Sequence, residues 1–147
     1  MSHTYTRNYI HLVFSTKLRA RTIAKDVQPK LWAYMAGICH HHQMVATAIG
    51  GLDDHTHLLF HLPPTLLLSK AVYLIKANSS RWMKNYVEDF DWQEGYGAFS
   101  VSASNLGPVE KYIRNQGTYH KKITFEREFL ALLKKHNIEF DPRYVFS

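Results

Sequence analysis

Two short stretches of the sequence carry residue types that can do chemistry together. The first is Asp54-His55-Thr56-His57-Leu58-Leu59-Phe60-His61-Leu62, which reads as a strand entered from the turn Gly50-Gly51-Leu52-Asp53-Asp54. Side chains alternate across a strand, so Thr56, Leu58, Phe60 and Leu62 face one way and His55, His57, Leu59 and His61 the other. The apolar trio suits a helix-covered core. That leaves two imidazoles side by side on the opposite face. Neutral imidazoles so placed can hold one divalent cation and still leave positions for a phosphate oxygen and a third ligand. His61 shares the face further along, as a neighbour that could touch substrate. The plainer alternative, two polar residues on an open sheet face, is left standing by the spacing alone.

The second stretch is Glu110-Lys111-Tyr112-Ile113-Arg114-Asn115-Gln116. On a helix, Tyr112 and Gln116 share one face, being four residues apart. A phenol can attack phosphorus and form a covalent phosphotyrosine that stores the energy of the cut bond. Its ordinary pKa of about 10 means that it needs help near neutral pH, and a metal polarising the phosphate supplies such help. Gln116 can add a neutral oxygen to a site made by two histidines. Tyr119 shares the face and competes for the nucleophile role. Again a plain alternative exists: a packed tyrosine beside a solvated amide.

Elements must position these residues. The pattern predicts strands at 8–16, 44–49, 55–62 and 95–102, and helices at 26–41, 66–87, 108–119 and 125–136, followed by a tail at 141–147. Asp26 is placed to cap the first helix, and Val27, Leu31, Tyr34, Met35 and Ile38 can share its inner face. Along the second helix the expected inner face is Leu68, Val72, Ile75, Ser79, Trp82, Met83 and Tyr86. Asn105 is the expected cap of the third helix, with Pro108 in its first turn. The order β-α-β-β-α-β followed by two helices is that of an α+β fold: a ferredoxin-like split βαβ (RRM-like) antiparallel sheet with additional C-terminal helices. Two helices cover one face, and the other is left for ligands or further elements. A length of 147 residues fits one domain, residues 1–147.

Lys and Arg number 18 against 12 acidic residues, a net charge of +6, which points to a polyanionic partner. Arg7, Lys17, Arg19, Arg21 and Lys25 lie around the exit of the first strand, and Lys70, Lys76, Arg81 and Lys84 along the second helix. Such cations can neutralise phosphates with little reading of base identity, and Tyr96 and Phe99 could stack on unpaired bases. The three histidines 40–42 read as favourable charge at a helix C-terminus. The lone cysteine, Cys39, builds no disulfide framework, so the reducing cytoplasm is the expected setting. The first residues do not read as a signal peptide, and no stretch approaches the roughly 18 apolar residues of a membrane span.

Taken in order, four segments resemble the single-tyrosine HUH transposases of small bacterial insertion sequences and their relatives associated with repetitive extragenic palindromes. They are Tyr9-Ile10-His11-Leu12-Val13-Phe14-Ser15-Thr16-Lys17, Asp54-His55-Thr56-His57-Leu58-Leu59, Trp92-Gln93-Glu94-Gly95-Tyr96-Gly97-Ala98-Phe99-Ser100-Val101, and Val109-x-x-Tyr112-Ile113-x-Asn115-Gln116. The resemblance implies a metal-dependent enzyme that cuts and rejoins single-stranded DNA at hairpin-bearing element ends, remaining joined to the 5′ phosphate through tyrosine. It implies magnesium or manganese, no ATP, and a homodimer whose subunits share their active sites. Carried onto this chain, His55, His57 and Gln116 hold the metal and Tyr112 is the nucleophile. The chain departs from the pattern at Thr56, where the family has a bulky apolar residue; that side chain faces away from the metal, so no loss of activity is expected. Two-tyrosine relatives space their tyrosines more closely than Tyr112 and Tyr119, which argues against a paired mechanism. A domesticated relative cutting palindromic repeats would share this chemistry. A non-catalytic single-strand-binding module would tolerate Tyr112→Phe, and a hydrolytic metallonuclease would leave no protein adduct.

Overall fold

The computed structural model describes residues 3–147. In chain order the elements are β1 (Tyr9–Ser15), α1 (Gln28–His41), β2 (Val45–Gly51), β3 (His55–His61), α2 (Leu68–Met83), β4 (Gly97–Val101), α3 (Leu106–Arg114), α4 (Gln116–Tyr119) and α5 (Phe125–Lys135). The strands form one antiparallel sheet in the order β2-β3-β1-β4. This is the α+β, ferredoxin-like arrangement expected from the sequence, and β3 and β1 are its central strands.

Alternation along β1 and β3 divides the molecule into two layers. Ile10, Leu12 and Phe14 of β1 and Leu58, Phe60 and Leu62 in and beside β3 join Leu31, Met35 and Ile38 of α1 and Val72, Ile75 and Met83 of α2 in the main core. Two smaller clusters lie on the other face. Val13 and Phe99 meet Phe125, Phe129 and Leu133 of α5, and Ala48 and Leu59 meet Ile113 of α3. The second face is therefore a covered surface, because α3 and α5 each bring an apolar stripe of their own to it.

The structure corrects several expected details. Tyr34 and Tyr86, read as inward-facing, are exposed. Phe99, offered as a stacking platform for bases, is 3% exposed and stacked on His136 at 4.5 Å. Asn105 precedes α3 but makes no side-chain cap. The expected single helix at 108–119 is two: it breaks at Asn115, the last residue of one turn system and the first of the next. Asn115 and the nearby Gly117 are poor helix formers, which makes this the weak point of the run.

Gly50 of β2 sets how closely α3 can lie on the sheet. It pairs with His57, and a Cβ there would collide with the Ile113 carbonyl oxygen. The absence of a side chain lets α3 settle one residue away from Tyr112. Among the described residues no helix is long and apolar enough to cross a membrane.

Candidate active site

β3 places His55 and His57 two residues apart on the face covered by α3–α5, and both are fully buried. His55 Nδ1 lies 2.7 Å from Asp54 Oδ1, and its Nε2 lies 2.8 Å from Gln116 Oε1. His57 Nε2 lies 3.2 Å from Glu128 Oε1, and His55 Nε2 is 3.6 Å from the same oxygen. The Tyr112 hydroxyl donates to Glu128 Oε2, and Gln116 Nε2 donates to that oxygen at 3.0 Å. His120 closes the group, its Nε2 3.0 Å from both Gln116 Oε1 and Glu128 Oε1. Despite the break at Asn115, Tyr112, Gln116 and His120 follow one another at four-residue steps and converge on Glu128, which α5 inserts between them.

The donors fit a divalent cation. The ligand atoms of His55, His57 and Glu128 all lie within 4.8 Å of one another. Adjacent ligands around an ion with bonds of about 2.1 Å sit about 3 Å apart, close to the Glu128 separations above. A carboxylate only accepts hydrogen bonds, so the Asp54 contact places the His55 proton on Nδ1. A neutral His55 then presents its Nε2 lone pair to the Gln116 carbonyl oxygen. Two acceptors facing each other need a cation or a proton between them.

Electrostatics bind the group tightly. Burial works against the Glu128 charge, yet hydrogen bonds from His120 and His57, the His57 charge and the Tyr112 hydroxyl hold its carboxyl well below the usual carboxylate range. Burial also pulls His120 down, but the Glu128 carboxylate and the Ile123 carbonyl raise it on balance. His120 Nδ1 is 2.7 Å from that carbonyl, so both ring nitrogens face acceptors, the pattern of an imidazolium paired with Glu128. Burial lowers the pKa of His57 against the pull of Glu128. Tyr112 is pushed up, first by burial and then by the Glu128 charge.

Two cavities flank the buried centre. One of about 420 Å³ reaches Tyr112, Tyr119 and Glu128; the other, about 400 Å³, reaches Asp54 and His120 and carries Arg21, Lys121 and Lys122. The structure thus brings His55, His57, Gln116 and Tyr112 together within one chain. Tyr119 packs edge-on against Tyr112 with centroids 5.3 Å apart, while Tyr112 alone of the two meets Glu128. His61 lies at the far end of β3, its Nε2 3.1 Å from the Thr6 carbonyl. Glu128, His120 and the Asp54 contact were not anticipated.

The sequence match to a family model, over residues 4–116, is to the family described as "Transposase IS200 like". The chain belongs to the IS200-like transposases. It is accordingly a DNA-processing enzyme by family. The transposase for insertion sequence element IS200 of Salmonella typhimurium is 22% identical over 124 residues, covering 79% of this chain and 81% of that one, and the Salmonella typhi protein matches equally. Among solved structures, a candidate transposase of Deinococcus radiodurans R1 superposes with a TM-score of 0.63 at 22% identity, over 79% of this chain and 96% of that one. A REP-associated tyrosine transposase bound to a REP hairpin does so with a TM-score of 0.62 at 14% identity, over 84% and 74%. These structures share the fold. The family match stops at Gln116, so His120 and Glu128 lie in the part of the chain beyond it.

The proposed phosphate-binding cations are dispersed. Arg21 stands beside the site, lining the cavity with Asp54 and His120. Arg19 pairs with Glu126 at 3.3 Å, Arg7 donates to the Tyr9 hydroxyl at 3.3 Å, and Lys17 borders a separate cavity with Asp89 and Asp91. Lys70 and Arg81 lie on α2 and Lys84 caps its end, across the sheet from the histidines. Lys84 donates to the Phe90 carbonyl at 2.5 Å, and Lys76 to the carbonyls of Gln93, Glu94 and Gly95. Those two lysines secure a loop.

Proposed function

We propose that this chain cuts and rejoins single-stranded DNA through a covalent 5′-phosphotyrosine on Tyr112, with residues 1–147 forming one HUH transposase domain. The observation that supports this best is the Tyr112 hydroxyl hydrogen-bonded to Glu128, the carboxylate that also meets the histidine pair. A nucleophile and a candidate metal centre share one side chain. His55, His57 and Gln116 would hold Mg²⁺ or Mn²⁺ together with Glu128. A cation there supplies Lewis-acid polarisation of a phosphate oxygen and balances its developing charge.

The chain's own residues supply the rest. Glu128 orients the Tyr112 hydroxyl and passes its proton on to solvent as the phenolic oxygen bonds to phosphorus, and the departing 3′ oxygen takes a proton from solvent. A 3′ hydroxyl later attacks the phosphotyrosine and gives up its proton to solvent, and the phenolate recovers a proton by way of Glu128. His120 and Gln116 hold the Glu128 carboxylate while this happens. Asp54 fixes the His55 tautomer that offers Nε2. No nucleotide triphosphate is needed, because the phosphotyrosine conserves the bond energy.

The partner is single-stranded DNA carrying hairpins, in keeping with the REP hairpin bound by a structural neighbour, and the setting is the cytoplasm. Arg21 and Arg19 would meet its backbone beside the site, with Arg7, Lys17, Lys70, Arg81 and Lys84 as outlying contacts to it. A homodimer is part of the reading, although the donors named here all come from one chain.

The deciding experiment mixes the full chain with labelled single-stranded hairpin DNA from the flanks of its gene and Mn²⁺, then resolves the products under denaturing conditions. A metal-dependent protein–DNA adduct that persists in Tyr119→Phe and is absent in Tyr112→Phe is expected. Cleavage with no adduct would replace this reading with a hydrolytic nuclease.

A further inference from the structure

His11 has no role in the site as described, yet it is buried in the sheet, at 4% exposure. It lies on β1 opposite Leu59 of β3 and Phe99 of β4, on the same face as the two histidines of β3. Its Nε2 is 2.8 Å from His57 Nδ1. The two rings are inclined by 25°, with centroids 5.1 Å apart. His11 also meets Tyr112 edge-on, at 6.1 Å. The contact occupies the one nitrogen of His57 that faces away from Glu128.

We propose that His11 is a positioning residue for the metal centre, accepting the Nδ1–H of His57 so that His57 Nε2 presents its lone pair to a cation. A neutral imidazole carries one proton, and whichever nitrogen holds it cannot bind metal. His55 has its proton fixed by Asp54. His57 has no carboxylate on Nδ1; its partner there is the imidazole of His11. That partner can reverse. Without a cation, His57 donates from Nε2 to Glu128 and accepts from His11 at Nδ1. With a cation, the proton of His57 resides on Nδ1, and His11 accepts it while carrying its own proton on Nδ1. Each ring keeps one proton in both states, so the exchange is balanced. A carboxylate could not donate in the first state, and a phenyl ring could serve in neither. The two metal histidines are thus held by different means: one by a fixed acceptor, the other by a partner able to change roles.

The inference rests on the metal centre proposed above, and the test separates the two. Mn²⁺ binding to the full chain is measured by electron paramagnetic resonance, without DNA, for the wild type and for His11→Phe, His11→Gln and His11→Ala, with circular dichroism to check folding. His11→Phe keeps the ring volume and removes both nitrogens, so its affinity is expected to fall by about 10- to 100-fold, in the range of lost outer-sphere partners. His11→Gln, whose amide oxygen can accept from His57, is expected to recover most of it. A His11→Phe protein that binds Mn²⁺ within about twofold of wild type, below the usual outer-sphere effect, overturns the proposal. So does a His11→Gln protein that binds no better than His11→Phe. A wild-type chain that binds no Mn²⁺ overturns the metal centre itself. Should His11→Ala fail to fold, the Phe and Gln pair still decides.

Discussion

At the scale of single residues, Glu128 organises the site. It is 1% exposed and receives hydrogen bonds from Tyr112, Gln116, His57 and His120. Glu128→Gln keeps the shape, removes the charge and weakens the acceptor. It should lower adduct formation by at least about 100-fold, the lower end of general acid–base effects. It should also weaken Mn²⁺ binding, which titration of the metal would show. An unchanged rate would remove Glu128 from the chemistry. His55, His57, Tyr112 and Gln116 were legible because each pair is local: two residues apart on a strand, four on a helix. Glu128 and His120 were not, because they reach the site only after the chain turns back at 120–124. A signal was nonetheless present. Glu128 lies between Phe125 and Phe129 on the inner stripe of α5, and a carboxylate on an apolar stripe requires a partner.

At the scale of elements, the position of Tyr112 depends on how α3 rests on β2. Gly50→Ala places a methyl group against the Ile113 carbonyl. The helix must move, at a cost of about 1–3 kcal/mol for overpacking. The expected outcome is a lowered melting temperature and a larger loss of adduct formation than of Mn²⁺ binding by the β3 histidines. Equal losses would mean that the whole domain, and not the tyrosine helix, had been disturbed. The strand and helix order followed from apolar periodicity, since Leu12, Phe14, Leu58 and Phe60 alternate cleanly. The break at Asn115 was harder to read because Tyr112, Gln116 and Tyr119 keep helical spacing across it. The covering of the second face could not be read from β3 at all; it depends on which way α3 and α5 return.

At the scale of the whole molecule, the main core contributes to behaviour at high pH. Cys39 is enclosed by it, and burial pushes its thiol up to about 12 from an ordinary value of 9.0. The unfolded chain releases this proton near the ordinary value and the folded chain holds it, so the contribution of Cys39 to stability is full below about pH 9 and declines as pH rises from there toward 12. Cys39→Ser should flatten that decline, as followed by chemical denaturation at pH 8 and pH 10.5. The thiol of the native protein should also resist aromatic disulfide reagents at pH 8 until the chain unfolds; rapid labelling of the native state would contradict the enclosure.

The candidate metal donors come from both sides of one internal boundary: His55 and His57 from the sheet, and Glu128, with the proposed Gln116, from the layer laid over it. A cation gripped by both would act as a clasp between them, and by mass action its binding energy becomes cohesion of the fold. At a free concentration about 100 times its dissociation constant, it would add about 2.7 kcal/mol to stability. Chelation should then open the protein unevenly, with residues 117–147 becoming susceptible to protease while β1 and β3 keep their amide protons. Loading with Mn²⁺ should restore resistance in the wild type but not in His57→Ala.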